Sequence, residues 1–232
     1  MKTINDFNFK DQKALIRVDF NVPLNDQFQV TDASRIEAAK STILKILKDG
    51  GKVILMSHLG RPKGIQEKYS LKHIVPKVSK VLGIEVKFVD DCIGSTAENA
   101  VKQLNNGEVL LLENLRFYDD EEAGDVQFSE KLSKLGDIYV NDAFGTAHRA
   151  HASTEGVTHY LKAVAGLLLD KEIRYLGDVV GNPQKPFMVI LGGAKVADKI
   201  GVIENLLPKC DSIIIGGGMA YTFLKARGVN IG

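Results

Sequence analysis

Short apolar runs, each leading into a loop rich in glycine or charge, constrain this chain more than any other feature. They are Ala14 to Phe20, Lys52 to Met56, Val86 to Val89, Val109 to Leu112, Ile138 to Val140, Phe187 to Leu191 and Ser212 to Ile215. Several are apolar at successive positions rather than at every second one, as in strands covered on both faces, and longer amphipathic stretches separate them. This alternation predicts a doubly wound α/β fold, a three-layer α/β/α Rossmann-like domain built on a parallel sheet.

The amphipathic stretches carry helical signatures. Ile36, Ala39, Ile43, Ile46 and Leu47 form one stripe that stops at Gly50 and Gly51, and Leu71, Ile74, Val78, Val81 and Leu82 form a second that stops at Gly83. Ser95 with Glu98 reads as a capping box for a third helix running to about Leu104. From Leu161 to about Val180 the spacing stays helical until Gly181-Asn182-Pro183 breaks it. A helix ending in a breaker before a fresh strand predicts two lobes: a domain over 1–170, a connecting helix and linker over 171–186, and a second α/β domain over 187–232. That second domain has room for only about two strands, fewer than open parallel sheets usually carry, so it is expected to be incomplete, with an unfinished sheet edge.

Composition narrows the function classes. With 232 residues and 44% hydrophobic content the chain can fill a sizeable core, and its formal net charge of +1 gives no support to general attraction to nucleic acid or membrane. Any anion site must therefore be a local arrangement. Cys92 and Cys210 are the only cysteines, too few for a disulfide scaffold and without a CxxC pair. Met1 to Asp11 does not resemble an export signal and no apolar run approaches a membrane span, so the expected location is the cytoplasm.

The loops after the strands hold the candidates for chemistry. In Arg17-Val18-Asp19-Phe20-Asn21-Val22-Pro23, strand alternation would turn Arg17, Asp19 and Asn21 the same way near the strand's carboxyl end, where open α/β sheets bind ligands. Arg35 opens the next helix. Ser57-His58-Leu59-Gly60-Arg61-Pro62 follows the second run, Arg116 follows Leu111-Leu112-Glu113-Asn114-Leu115, and Arg149 lies with His148 and His151 in Asn141 to His151. The rigid guanidinium fork suits two oxygens of one carboxylate or phosphate. Four forks at one rim would repel each other unless an anion of more than one negative charge filled the site. Zinc is a poor fit, since His148 and His151 lack a cysteine or carboxylate pattern, and His73 and His159 have no comparable setting.

The second lobe repeats a strand-to-glycine design. Phe187 to Leu191 runs into Gly192-Gly193-Ala194-Lys195, with Lys199 expected one helical turn beyond Lys195, and Ile213 to Ile215 runs into Gly216-Gly217-Gly218-Met219. Backbone N–H groups there could face an anion, or the first loop could be a tight turn with two solvated lysines. The spacing is neither a Walker A motif nor a dinucleotide fingerprint.

Taken in order, RVDFNVP (Arg17 to Pro23), SHLGRP (Ser57 to Pro62), LENLRF (Leu112 to Phe117), NDAFGTAHRAH (Asn141 to His151), GGAKVADKI (Gly192 to Ile200) and GGGMA (Gly216 to Ala220) resemble the successive signatures of the phosphoglycerate kinase family. The resemblance implies a monomeric glycolytic transferase that moves a phosphoryl group between 1,3-bisphosphoglycerate and ADP, giving 3-phosphoglycerate and ATP, with Mg2+ accompanying the nucleotide. Residues 1–170 would then be the triose-binding domain and 187–232 the start of the nucleotide-binding domain. Asp19, Asn21, Arg35, His58, Arg61, Arg116 and Arg149 would surround the triose, with His148 and His151 supporting the basic patch. Lys195 would meet the phosphoryl group and, with Arg35, act catalytically; Lys199, Gly192, Gly193, Gly216, Gly217 and Gly218 would serve the nucleotide. Family members are longer, so this chain alone is expected to be an inactive fragment of the enzyme. The alternative is a noncatalytic phosphate- or carboxylate-binding module.

Overall fold

The computed structural model describes residues 2–231, apart from the side chain of Asp198. The chain divides into two compact units, residues 1–172 and 173–232.

In the first unit, β1 (Lys13–Arg17), α1 (Ser34–Lys48), β2 (Lys52–Met56), α2 (Val75–Leu82), β3 (Val86–Phe88), α3 (Gly94–Lys102), β4 (Val109–Leu111), α4 (Asp119–Ala123), α5 (Val126–Ser133), β5 (Ile138–Asn141) and β6 (Lys162–Ala165) lead into α6 (Leu167–Gly181). The six strands form one sheet in the order β3-β4-β2-β1-β5-β6, every pairing parallel. The three-layer arrangement follows from alternation along the strands. Ala14, Ile16, Val53 and Leu55 pack on one face with Ile36, Ile43 and Ile46 of α1 and Val78 and Leu82 of α2. Leu15, Ile54, Met56 and Leu110 pack on the other with Ala97 and Val101 of α3 and Phe128 and Leu132 of α5. Each fully buried Leu or Ile contributes roughly 1.5–3 kcal/mol.

Chain direction sets the site. From β1 the chain moves to β2 on one side, whereas from β5 it moves to β6 on the other, and β1 pairs directly with β5. Adjacent strands whose connections depart in opposite directions open a crevice at their carboxyl ends. Arg17 of β1 is level with Met56 of β2 and Asn141 of β5, so the loops leaving these strands start at one height.

Three local expectations need correction. The third helix starts at Gly94 with no side-chain cap from Ser95; instead Asp91 accepts the amides of Cys92 and Ile93 ahead of it. The stretch expected to be helical from Leu161 contains a strand, because Lys162–Ala165 pairs with β5 and only then does α6 begin. The first strand ends at Arg17 instead of running to Phe20, so Arg17 is not aligned with Asp19 and Asn21.

The second unit contains β7 (Met188–Gly192), α7 (Ile200–Leu206), β8 (Ser212–Gly216) and α8 (Met219–Ala226), with β7 and β8 paired in parallel as a two-stranded sheet. Among the described residues no helix is long and apolar enough to cross a membrane.

Candidate functional site

The loops at the carboxyl ends of β1, β2, β4 and β5 enclose a cavity of about 320 Å³. It is lined by Asp19, Asn21, Arg35, His58, Arg61 and Arg116, together with Gly60, Gly145, Thr146 and Arg149. These four strands are the contiguous centre of the sheet. Chain segments far apart in sequence therefore deliver their arginines to one place.

The loops hold each other in register through buried polar groups. Asn114 is fully buried: its amide nitrogen donates to the carbonyls of Leu59 and Tyr69 at 2.8 and 2.9 Å, and its Oδ1 accepts from the amides of Leu59 and Arg116. Glu113 accepts from the Ser70 hydroxyl and the Leu71 amide, which ties the segment after β2 to the loop after β4. Asn21 Oδ1 accepts from the Gly60 amide at 2.8 Å, and Ser57 Oγ accepts from the Phe20 amide at 2.9 Å. At Gly60, with φ of +64°, a Cβ would fall 2.4 Å from the Tyr69 ring, so any other residue would be strained there and would have to displace the ring. Much of the SHLGRP and LENLRF segments is thus scaffold for the arginines.

The charges do not cancel within the protein. Arg35 pairs with Asp19 at 2.6 Å and Arg116 with Glu122 at 3.0 Å, while Arg61 and Arg149 have no ion pair among the described residues. Arg116 also donates to the Gly60 carbonyl at 3.1 Å, and its Nε is buried without a partner. The Arg35 side chain is half exposed, so its pairing with Asp19 is of the weak, exchangeable kind. His58 is buried, and its pKa is pushed down to about 2 by burial first and then by Arg17, Arg116, Arg149 and Arg35. It therefore faces the cavity as a neutral imidazole.

Two expected neighbours lie elsewhere. His148 is exposed and does not line the cavity, and His151 sits with its Nδ1 3.6 Å from buried Glu121. Arg17 lies beneath the site, almost wholly buried, and donates to Ser153, to His58 and to the Val18 carbonyl. Its position in β1 held the signal for this: it alternates with Ile16 and shares a direction with Leu15, which faces the core. His73 stacks on Phe28 and His159 pairs with Glu155, both outside this cavity.

In the second unit the two glycine loops meet. Gly192 and Gly216 are opposite each other in the sheet, the amide of Met219 donates to the Gly193 carbonyl at 2.8 Å, and a Cβ on Gly217 would fall 3.0 Å from the Gly193 amide nitrogen. The Lys199 side chain folds over Gly193, with Cε 3.5 Å from where a Cβ would stand, and Lys195 is exposed. Lys195 and Lys199 do not share a helix as expected, because α7 begins only at Ile200, after a short 3-10 turn over Ala197–Lys199.

The comparisons with known proteins agree with these features. The phosphoglycerate kinase family model matches residues 4–232. The chain belongs to the phosphoglycerate kinase family. It is 58% identical over 234 residues to the phosphoglycerate kinase of Chloroflexus aggregans, covering 100% of this chain and 58% of that one. It is 57% identical over 226 residues to phosphoglycerate kinase 1, chloroplastic, of Arabidopsis thaliana, covering 97% of this chain and 47% of the relative. Among solved structures, phosphoglycerate kinase from Pyrococcus horikoshii OT3 superposes with a TM-score of 0.89 at 34% identity, over 100% of this chain and 59% of that one. The corresponding figures for the Coxiella burnetii phosphoglycerate kinase are 0.87 and 39%, over 99% and 58%. The chain thus spans a little over half the length of most of the family members it matches.

Proposed function

We propose that the cavity of the first unit binds 3-phosphoglycerate, or the glycerate part of 1,3-bisphosphoglycerate, and that the whole enzyme transfers a phosphoryl group between 1,3-bisphosphoglycerate and ADP. The observation that carries this reading is the gathering of four guanidiniums around one cavity, against two carboxylate partners among the described residues. Fixed cations left uncompensated repel one another, and a small ligand with a phosphate and a carboxylate relieves that repulsion at both ends. The volume suits such a ligand, lying at the small end of the ~300–1,000 Å³ usual for ligand sites.

In this reading Arg61, Arg116 and Arg149, with Asp19, Asn21 and His58, hold the triose. Arg35, half exposed, is free to leave Asp19 for the equatorial oxygens of the transferring group, and Lys195 is assigned a catalytic role toward the phosphoryl group. The nucleophile in the direction of ATP consumption is a carboxylate, ionised at neutral pH, so no general base is required. Lys199 and the loops of Gly192, Gly193, Gly216, Gly217 and Gly218 take the nucleotide phosphates. Among the described residues no three His, Cys, Asp or Glu side chains cluster where they could hold a metal ion. Mg2+ is proposed to enter with the nucleotide as part of the substrate, and no step is derived through it. A cytoplasmic monomer completes the proposal.

Calorimetric titration of the chain with 3-phosphoglycerate tests the site. Saturable binding that weakens with added salt is expected, and Arg61→Ala should weaken it about tenfold or more. Binding that is absent, or unchanged in Arg61→Ala, would remove the triose assignment. A coupled assay of the whole enzyme with MgATP then separates a kinase from a module that only binds.

A further inference from the structure

We propose that Arg17 is a positioning residue for the basic cavity, anchored on Glu121 through Ser153 and fixing the His58 imidazole so that Nε2–H is offered to the ligand. The proposal deepens the triose-binding reading and rests on it for the identity of the ligand.

The argument begins with burial. Arg17 is 1% exposed and Glu121 is fully buried, although Glu121 belongs to the acidic run Asp119-Asp120-Glu121-Glu122. An arginine cannot be deprotonated to escape the cost of burial, so it needs an interior counter-charge. Burial works against the Arg17 cation, and the Glu121 carboxylate is the foremost group favouring it. The two are joined through the Ser153 hydroxyl rather than directly: Arg17 Nε donates to Ser153 Oγ at 3.0 Å, and Ser153 Oγ donates to Glu121 Oε1 at 2.5 Å.

The direction of every bond in this chain is set by chemistry. A guanidinium has no acceptor, so Ser153 accepts from Arg17 and has its one proton left for Glu121. By the same rule Arg17 Nη2, 3.1 Å from His58 Nδ1, donates to it, and Nδ1 is the bare nitrogen. The ring proton is therefore on Nε2, which has no protein partner among the described residues on a side chain that lines the cavity. The opposite tautomer would set N–H against N–H. The anchor also holds the loop that carries Arg149. The Ala152 amide donates to the Glu121 carbonyl at 2.9 Å, Tyr139 Oη donates to the Ser153 carbonyl at 2.9 Å, and Thr154 Oγ1 donates to the Arg149 carbonyl at 2.6 Å.

Long-range nitrogen–proton correlation spectra of the 15N-labelled chain at neutral pH read the His58 tautomer directly, with the signal assigned by its loss in His58→Gln. Only the Nε2–H pattern is expected in the unaltered chain. Arg17→Lys and Glu121→Gln should each give mixed tautomers and weaken 3-phosphoglycerate binding about tenfold, whereas Arg61→Ala should weaken binding with the tautomer unmoved. An Nδ1–H or evenly mixed pattern in the unaltered chain would overturn the proposal, whether or not any variant folds. So would an Arg17→Lys chain with tautomer and affinity both intact. If the unaltered chain holds the Nε2–H tautomer yet binds no 3-phosphoglycerate, the positioning role is supported and the triose reading is the part that fails.

Discussion

In β1, Leu15 and Ile16 are wholly buried, whereas in β7, Ile190 is 72% exposed and Met188 is 56% exposed. Both strands are short apolar runs in parallel pairing, and both end in a loop that is a candidate for holding an anion. The difference lies in their neighbours. β1 has a strand on each side and helices packed on both faces, while among the described residues β7 pairs with β8 alone. An apolar run therefore specifies a strand, but its contribution to stability comes from what covers it. The two loop sets differ in the same way: those of the first unit present side-chain cations on a polar scaffold, those of the second present glycine backbone.

The largest effect expected from this contrast is in the cores. Ile16→Ala should cost about 2–5 kcal/mol through lost burial and the cavity left behind. Ile190→Ala, on an exposed face, should stay within about 0.5 kcal/mol. Hydrogen exchange followed separately in each unit would read both changes, and equal losses would mean that β7 is covered as β1 is.

A smaller effect is expected at the candidate sites. Arg149→Ala removes a guanidinium of the cavity lining that has no ion pair among the described residues, and should weaken 3-phosphoglycerate binding about tenfold. Lys199→Ala, in the other unit, should leave that affinity unchanged. A titration in which both variants weaken binding alike would erase the division of labour between the units.

What could be read from the residues alone follows from the same contrast. Seven apolar runs became seven strands, and the helical stripes on Ile36 to Leu47 and on Val78 and Leu82 became core contacts, since alternating burial leaves its mark on each segment separately. Lys162–Ala165 escaped because four residues carry too little pattern to oppose the helical spacing after them, and their pairing with β5 is a tertiary fact. At the site, Arg35, Arg61, Arg116 and Arg149 were legible as cations beyond strands, where no core role explains them. Arg17 and Glu121 were not, because only the fold shows that an arginine closing a strand and one acid of four are turned inward and joined through Ser153.

Two aspartates bring the comparison down to single carboxylates and give its smallest effects. In the first unit Asp142 is fully buried and caps α6, accepting the amides of Leu168 and Leu169 at 2.9 and 3.2 Å, with its other oxygen unpartnered. Burial raises its pKa to about 6 against the pull of those bonds and of Thr42. In the second unit Asp211 accepts the Phe187 amide at 2.7 Å and pairs with Lys185 at 2.9 Å, and these partners lower its pKa. The signs of the pH dependence are therefore opposite. Between the ordinary aspartate pKa of 3.8 and about 6, the folded state holds a proton at Asp142 that the unfolded chain has released, so this group's contribution falls as pH rises through that window. For Asp211 the unfolded chain binds the proton more readily, so its contribution is present above 3.8 and is lost as pH falls through the lowered folded value. Asp142→Asn should thus stabilise the first unit by about 1 kcal/mol at pH 8 and lose that advantage near pH 4. Asp211→Asn should destabilise the second unit at pH 8, with the difference shrinking in acid. Urea unfolding of the two variants and the unaltered chain at both pH values decides the matter. An Asp142→Asn advantage that is the same at pH 4 and pH 8 would show that it is packing, and not the buried charge, that separates this carboxylate from its exposed counterpart.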